Sequence, residues 1–295
     1  MLEMSARNLP KASASSPIVI LNRDLFFFTG AFSKAVCNAV PIFNTNNQVG
    51  FDNDPKHIAS RLRQVPGIAD DFADAMSRMV KKGNTAGAHE VLLDADHNRL
   101  HARLVSSMDM FIMLHENAHV LLGHTANSTL KYNFTGSKSR TARLGIPSTK
   151  ARECDAAPND STLTLLKRSR EDELAADGLA FRLLLEAKGA ADATRNAADV
   201  MIAAAAADIV FGIIDAADSY NRGANGTSFT DASHPSAAER RAALDTIHRE
   251  LVAPGKPLNG LPDFRAVFNS ALEALLLQSD PAIRKALKLS AESGH

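Results

Sequence analysis

Tryptophan is absent from the 295-residue chain, and tyrosine and cysteine occur twice each. The two cysteines, Cys37 and Cys154, are too few for a disulfide framework, and this scarcity is typical of a reducing compartment. The 33 basic and 33 acidic residues balance, so no net charge attracts the whole protein to nucleic acid or to an anionic membrane. An apolar content of 45% is that of a globular protein rather than a disordered one.

Long hydrophobic runs are also missing. The N-terminal apolar runs are short and are interrupted by polar residues at 22–24, which does not fit an export signal. The most apolar segment, 200–214, is shorter than the roughly 20 residues of a transmembrane helix, and it contains Asp208. We therefore expect a helix buried in a soluble, cytoplasmic protein; contact with a membrane is the alternative.

The order of apolar residues and breakers predicts a mainly α-helical fold with a small β-sheet or hairpin. We expect a loose arm at 1–17, an N-terminal region with a helix and short strands at 18–103, and a helical core at 104–295. Strands or irregular structure fit 18–55, and a hairpin with its turn near 96–98 fits 89–104. Helices are expected at 56–80 with a break at 66–67, and at 104–123, 169–188, 190–218, 236–252, 261–278 and 280–292.

The most informative segment is His115-Glu116-Asn117-Ala118-His119. Histidines at i and i+4 lie on one face of a helix, so both imidazoles can reach one metal ion. Glu116, beside the first histidine, can contact a water molecule on that ion. This HExxH pattern is typical of zinc with a carboxylate general base. The alternative is a pair of core histidines on an apolar helix.

Catalytic zinc usually has three protein ligands, and Glu173 is the candidate for the third. Asp177 lies one helical turn later and can accept the outer N–H of a ligand histidine. The alternative is that Ser169 caps this helix and that acids in its first turn complement the helix dipole. That alternative leaves Asp177 unexplained, because a buried acid in an apolar stretch is costly unless it is paired.

A third segment runs from Ser233 to Arg240. Ser236 and Glu239 form the capping-box pattern, which predicts a helix from about residue 237. His234 would then lie just outside the positive end of that helix, where it could donate a hydrogen bond to an oxyanion. The alternative is an ordinary helix start with a solvated histidine.

These three segments, in this order, resemble the gluzincin zinc metallopeptidases, and among them the group of the heat-shock protease HtpX and the CAAX prenyl proteases. The resemblance covers roughly residues 105–250 and includes Gly123-His124 after the HExxH helix. The best-known members of the group have transmembrane helices, of which none is evident here, and the first hundred residues match nothing in the group. Gluzincins of the ImmA/IrrE type are less similar, since the spacing between their HExxH motif and the later acidic helix is usually shorter. They also do not characteristically have a His-Pro dipeptide such as His234-Pro235.

The resemblance implies a zincin-like core with one Zn²⁺ per chain and a metalloendopeptidase activity on protein or peptide substrates. It implies the following roles: His115, His119 and Glu173 as metal ligands, Glu116 as general base, His234 as an oxyanion donor, and Asp177, Arg240 and His124 as groups around the ligands.

Other functions stay open at this point. Segment 125–168 is polar and basic and lies between the two ligand helices, so it fits either a lid over the cleft or a solvated loop. A zinc-binding regulatory protein without efficient hydrolysis is one alternative to the peptidase. A membrane-associated protease and an all-helical interaction protein are the others.

Overall fold

Helices dominate the part of the chain that the computed structural model describes, which is residues 5–7, 18–20, 23–45, 48–52, 54–89, 92–124, 160–192, 196–226, 234–256, 258–261 and 263–289. The helices are α1 (Arg23–Ala39), α2 (Pro55–Gln64), α3 (Gly67–Lys82), α4 (Ala95–Leu121), α5 (Asp160–Ala187), α6 (Ala197–Asn225), α7 (Ala237–Val252) and α8 (Phe264–Leu287), with a 3₁₀ turn at Ala190–Asp192. The mainly α-helical class is confirmed.

Within the described residues, the β component consists of two antiparallel pairs of short strands. The strands are β1 (Ser5–Arg7), β2 (Ile18–Ile20), β3 (Ile42–Thr45) and β4 (Gln48–Phe51). Strand β1 pairs with β2, and β3 pairs with β4 with Ile42 opposite Phe51. The small β-sheet or hairpin that the sequence predicts is therefore present, and β1 of the first pair packs against α4.

Strands or irregular structure are expected over 18–55; β2, β3 and β4 confirm the strands, and α1 corrects the expectation for 23–39. Phe28 and Phe32 are one turn apart and fully buried, and the Phe32 ring meets Phe72 of α3 edge to face at 5.2 Å. An apolar face with this spacing favours a helix once neighbouring helices cover it. The packing of α1 on α3, α4 and α8 places this part of the N-terminal region on the same core as the later helices.

Helix α4 replaces the hairpin expected over 89–104. Asp94 accepts hydrogen bonds from the backbone N–H groups of Asp96 and His97, which is an N-cap, so the acids near the expected turn begin a helix instead. The His97 ring is buried, with Nδ1 2.6 Å from the Asp94 carboxylate and Nε2 3.0 Å from the Val40 carbonyl. Burial of this ring fixes the start of α4 against the end of α1.

Two further boundaries differ from the prediction. Helix α5 begins at Asp160, so Ser169 lies inside it and does not cap it. Helix α8 continues through Pro281, where two helices are expected; Pro281 lies on the exposed face, where water can satisfy the carbonyl that has lost its donor. Most of the proposed lid, residues 125–159, and most of the proposed arm at 1–17 lie outside the described residues.

Helix α6 is the central helix of the core. It contacts α3, α4, α5, α7 and α8, and its segment 202–213 is buried throughout. By length and composition it is the one described helix that could cross a membrane, but 72% of its apolar window is buried inside the protein. The expected buried helix over 200–214 is confirmed. Asp208, within it, is buried and pairs with Arg265 of α8.

Replacement of Arg265 by Met is expected to lower the free energy of unfolding by about 3 kcal/mol, because the buried Asp208 carboxylate would lose the cation that it is hydrogen-bonded to. Burial already raises the pKa of Asp208, and Arg265 opposes that rise. Without Arg265 the folded-state pKa rises further, so the destabilisation is present above that pKa and is lost as the pH falls through it.

Urea denaturation from pH 4 to pH 8 measures this effect. The double variant Asp208→Asn/Arg265→Met should recover most of the stability, and Arg284→Met, which removes a partly exposed pair with Asp280 on the same helix, should cost less than about 1 kcal/mol. An Arg265→Met variant as stable as the parent at neutral pH would contradict the account.

Candidate metal centre

The two histidines of α4 and Glu173 of α5 converge on one point. His115 Nε2 lies 3.1 Å from His119 Nε2. The two Glu173 oxygens lie 3.4 Å from His115 Nε2 and 3.3 Å from His119 Nε2. The i,i+4 spacing on α4 places the two rings one turn apart and edge to face. The packing of α5 along α4 brings the Glu173 carboxylate to them. This group of side chains could hold a metal ion.

The spacing of these donors fits zinc. Tetrahedral zinc, with bonds of about 2.0–2.2 Å to nitrogen and oxygen, separates its ligand atoms by about 3.3–3.5 Å. The three observed separations, 3.1, 3.3 and 3.4 Å, are close to that range. Two imidazoles and one carboxylate also leave a fourth position for water or substrate, which a structural site with four side-chain ligands does not.

Asp177 connects the ligand helices to α7. Its Oδ1 lies 2.8 Å from His115 Nδ1. The ring N–H does not point directly at that oxygen, so the contact is short but poorly aligned as a hydrogen bond. The same carboxylate accepts two hydrogen bonds from Arg240, from Nε at 2.7 Å and from Nη2 at 2.6 Å. Asp177 is fully buried, and the Arg240 guanidinium stacks over the Phe211 ring at 4.4 Å. Arg240 therefore neutralises the buried acid that faces Nδ1 of His115, a candidate metal ligand.

Glycine allows this contact between α5 and α7. A Cβ atom on Gly178, the residue after Asp177, would lie 3.0 Å from the Ile247 side chain of α7. A larger residue at 178 would require the tip of the Ile247 side chain to shift, because few Cβ contacts are this short. Helices α5 and α7 therefore pack closely beside the Arg240–Asp177 pair.

The charges around the centre favour a divalent cation. Burial would lower the pKa of His115, but the Asp177 and Glu173 carboxylates outweigh it and raise that pKa to about 9. Burial would raise the pKa of Glu173, but its contacts with both histidines and Arg240 hold it far below its usual range. When the histidines are neutral, the carboxylates of Glu116, Glu173 and Asp177 exceed the single charge of Arg240 by two negative charges. One divalent ion would balance that excess.

His119 has its own outer partner. Its Nδ1 lies 3.0 Å from Nδ1 of His124, and His124 Nε2 lies 3.4 Å from the Asp172 carboxylate. An imidazole that binds a metal through Nε2 carries its proton on Nδ1, so His119 would donate to His124. His124 would then present its own proton to Asp172. Burial, the largest influence, lowers the pKa of His124, which favours the neutral ring that this chain of hydrogen bonds requires.

Glu116 and His234 lie on two sides of the ligands. The Glu116 side chain is buried, and its Oε1 is 4.0 Å from His115 Nε2. His234 Nε2 is 3.9 Å from a Glu173 oxygen.

The expected capping box is present and confirmed: Ser236 accepts from the Glu239 N–H, and Glu239 accepts from the Ser236 N–H. All eight residues singled out from the sequence are thus brought together around one centre.

Sequence reasoning missed two residues, Arg170 and Asp172. Asp172 was interpreted only as an acid that complements the dipole of a helix beginning near Ser169, and its contact with His124 was not predicted. Arg170 donates a 3.0 Å hydrogen bond to the His234 carbonyl and pairs with Glu239. Its position three residues before Glu173 places it on the metal-facing side of α5, and this spacing is the signal that could have found it.

Comparison with known proteins agrees with this geometry. The family model of peptidase family M48 matches residues 100–248, which is half of the chain. The chain belongs to peptidase family M48. The M48 match contains the HExxH helix, the second ligand helix and the start of α7, and the resemblance to gluzincins of the HtpX and CAAX prenyl protease group is confirmed at the level of the family. No curated protein and no solved structure matches the chain.

Replacement of Asp177 by Asn is expected to weaken zinc binding about 10- to 100-fold, because it removes the charge that orients His115 and neutralises Arg240. Competition with a chromogenic zinc chelator measures the affinity. Asp199→Asn is a matched control, since Asp199 forms an exposed pair with Arg103 away from the centre. Parent-like zinc affinity in Asp177→Asn would contradict the assigned role.

Proposed function

We propose that the chain is a zinc-dependent endopeptidase with His115, His119 and Glu173 as its metal ligands. The observation that carries the proposal is the mutual spacing of their donor atoms, 3.1–3.4 Å, beside a buried carboxylate that is not one of the three. Membership of a family of zinc metallopeptidases supports the same activity. A structural zinc site has no use for an additional carboxylate beside its ligands such as Glu116, whereas zinc hydrolases use one as general base.

Glu116 is the proposed general base. Zinc, when bound, lowers the pKa of a water molecule and polarises a substrate carbonyl. Glu116 accepts the proton of the attacking water and passes it to the leaving amine. Its carboxylate is 4.0 Å from the nearest ligand nitrogen, which brings it within reach of a water at the open position. Its burial removes competing water and strengthens its interaction with the proton that it accepts.

His234 is the proposed oxyanion donor. Its Nε2 is 3.9 Å from a Glu173 oxygen, so the ring borders the centre from the side of α7. A hydrogen bond from this ring to the negative charge that develops on the substrate carbonyl would be worth about 3 kcal/mol in the transition state. Asp177 and Arg240 do not touch the substrate in this scheme; they orient His115 and hold α7 in place.

Glu116→Gln is expected to abolish peptide hydrolysis while about one zinc ion per chain is retained, because the amide cannot accept the proton and is not a ligand. Mass spectrometry of a digested peptide library measures cleavage and separates internal from terminal cuts, and elemental analysis measures zinc. Glu186→Gln, on the exposed surface of α5, is the control and should cleave like the parent.

His115→Ala tests the ligand set independently of activity. Its zinc content should fall well below that of the parent, and undiminished zinc would overturn the assignment of the metal site. Zinc binding in the parent without cleavage of any library peptide would instead favour a regulatory zinc protein.

We also propose that the protein is soluble and cytoplasmic, with α6 in its core rather than in lipid. The burial of α6 between five other helices and the pairing of Asp208 with Arg265 support this proposal. Fractionation of cells that express the full chain should place it in the soluble pool. Retention in a membrane pellet after an alkaline carbonate wash would favour the membrane-associated alternative.

A further inference from the structure

Two arginines join α5 and α7 beside the metal centre in opposite directions. Arg240 reaches from α7 to Asp177 of α5, as described above. Arg170 reaches from the first half of α5 towards the start of α7, where its Nη1 donates a 3.0 Å hydrogen bond to the His234 carbonyl and its Nη2 donates to Glu239. The first contact secures a metal ligand. The second secures the backbone of His234, which lies just before α7 and beside the centre.

The His234 backbone has little freedom left once Arg170 holds it. Pro235 follows, and a residue before proline is confined to extended backbone. Pro235 itself is buried and has a fixed φ. The capping box of Ser236 and Glu239 then fixes the first turn of α7. With the carbonyl held on one side and the helix on the other, only the side-chain torsions of His234 stay free to move the ring.

Glu239 links the two constraints. One of its oxygens caps the helix through the Ser236 N–H at 2.8 Å, and the other accepts from Arg170. The pKa of Glu239 is lowered to about 2, chiefly by the Ser236 N–H and then by Arg170, so the carboxylate is charged across the physiological range. The His234 carbonyl and the Glu239 carboxylate are therefore at fixed positions. The planar guanidinium of an arginine can donate to both at once, whereas the single ammonium of a lysine cannot match this geometry.

We propose that Arg170 is a positioning residue for catalysis, which fixes the His234 ring beside the metal centre by holding the His234 carbonyl. The inference rests on the proposed peptidase function and adds a residue to it. Arg170 does not touch the substrate. Its placement three residues before Glu173 means that one helix carries both a metal ligand and the group that locates the oxyanion donor, so the two keep a constant separation.

Arg170→Ala should lower kcat about tenfold or more with KM within about twofold, because a displaced donor loses contact with the transition state and not with the bound substrate. Zinc affinity should stay that of the parent. Arg170→Lys, which keeps the charge opposite Glu239 but loses the fork, should recover only part of kcat.

Arg182→Ala is the matched control. Arg182 pairs with Glu250 at 2.9 Å and also joins α5 to α7, but it does so on the exposed surface away from the centre. Its kcat should stay within about twofold of the parent value. A loss of kcat in Arg182→Ala as large as in Arg170→Ala would show that any weakened α5–α7 contact has this effect, and it would overturn the proposal.

A double-variant cycle with His234→Ala separates positioning from general structural damage. If Arg170 acts through His234, Arg170→Ala should cause little further loss in the His234→Ala background. If the fold-losses in kcat of the two single variants multiply in the double variant, the two residues act independently, and the proposal is overturned. Unchanged kcat in Arg170→Ala would overturn it as well.

A readout without turnover keeps the inference distinct from the peptidase proposal. In ¹H–¹⁵N spectra of the histidine side chains of the zinc-loaded protein, Arg170→Ala should shift or broaden the His234 signal, which is assigned by its loss in His234→Ala. The signal of buried His248 should not move. If the parent cleaves no peptide, the peptidase proposal fails and this spectrum alone decides: an unmoved His234 signal overturns the positioning role.

Discussion

The contact between Asp177 and Arg240 is the interaction on which the rest of the centre depends. It is a two-hydrogen-bond ion pair between α5 and α7, and its carboxylate is fully buried. Ion pairs of this kind add little net stability, but the loss of one partner leaves an uncompensated charge in the interior and costs about 3–5 kcal/mol. The same carboxylate faces His115 Nδ1, so in the proposed peptidase this structural contact also orients a metal ligand.

Close helix packing makes this possible. Helices α5 and α7 pack closely at Gly178 and Ile247, beside the Arg240–Asp177 pair, and the Phe211 ring of the central helix α6 packs against the guanidinium. Helices α4, α5 and α7 therefore meet over the core that α6 forms. A change of an ångström in any of these contacts would move a proposed ligand or the proposed oxyanion donor, which is why well-packed helices suit such a site better than loops do.

The sequence predicts those parts of the centre that depend on short spacing. The i,i+4 pairs of α4 and α5 and the capping box of α7 are local patterns, and each is present. The hairpin expected near 96–98 is wrong because alternation over a few residues is weaker evidence than an aspartate cap and a buried face, which only the packing reveals. Arg170 was missed because its acceptors, the His234 carbonyl and Glu239, lie 64 and 69 residues away, and only its spacing from Glu173 marks it in the sequence.

With both histidines neutral, as metal binding requires, the centre has two surplus negative charges, which are unfavourable to bury in a protein whose overall charge is zero. If only stability mattered, apolar side chains would fill the same volume at less cost. The surplus is confined to the residues that face the donor atoms of His115 and His119, and Arg240 compensates for one charge and no more. Because the two surplus charges equal the charge of one zinc ion, and Glu116 is a buried acid outside the ligand set, the arrangement favours binding a metal for catalysis over binding it to stabilise the fold.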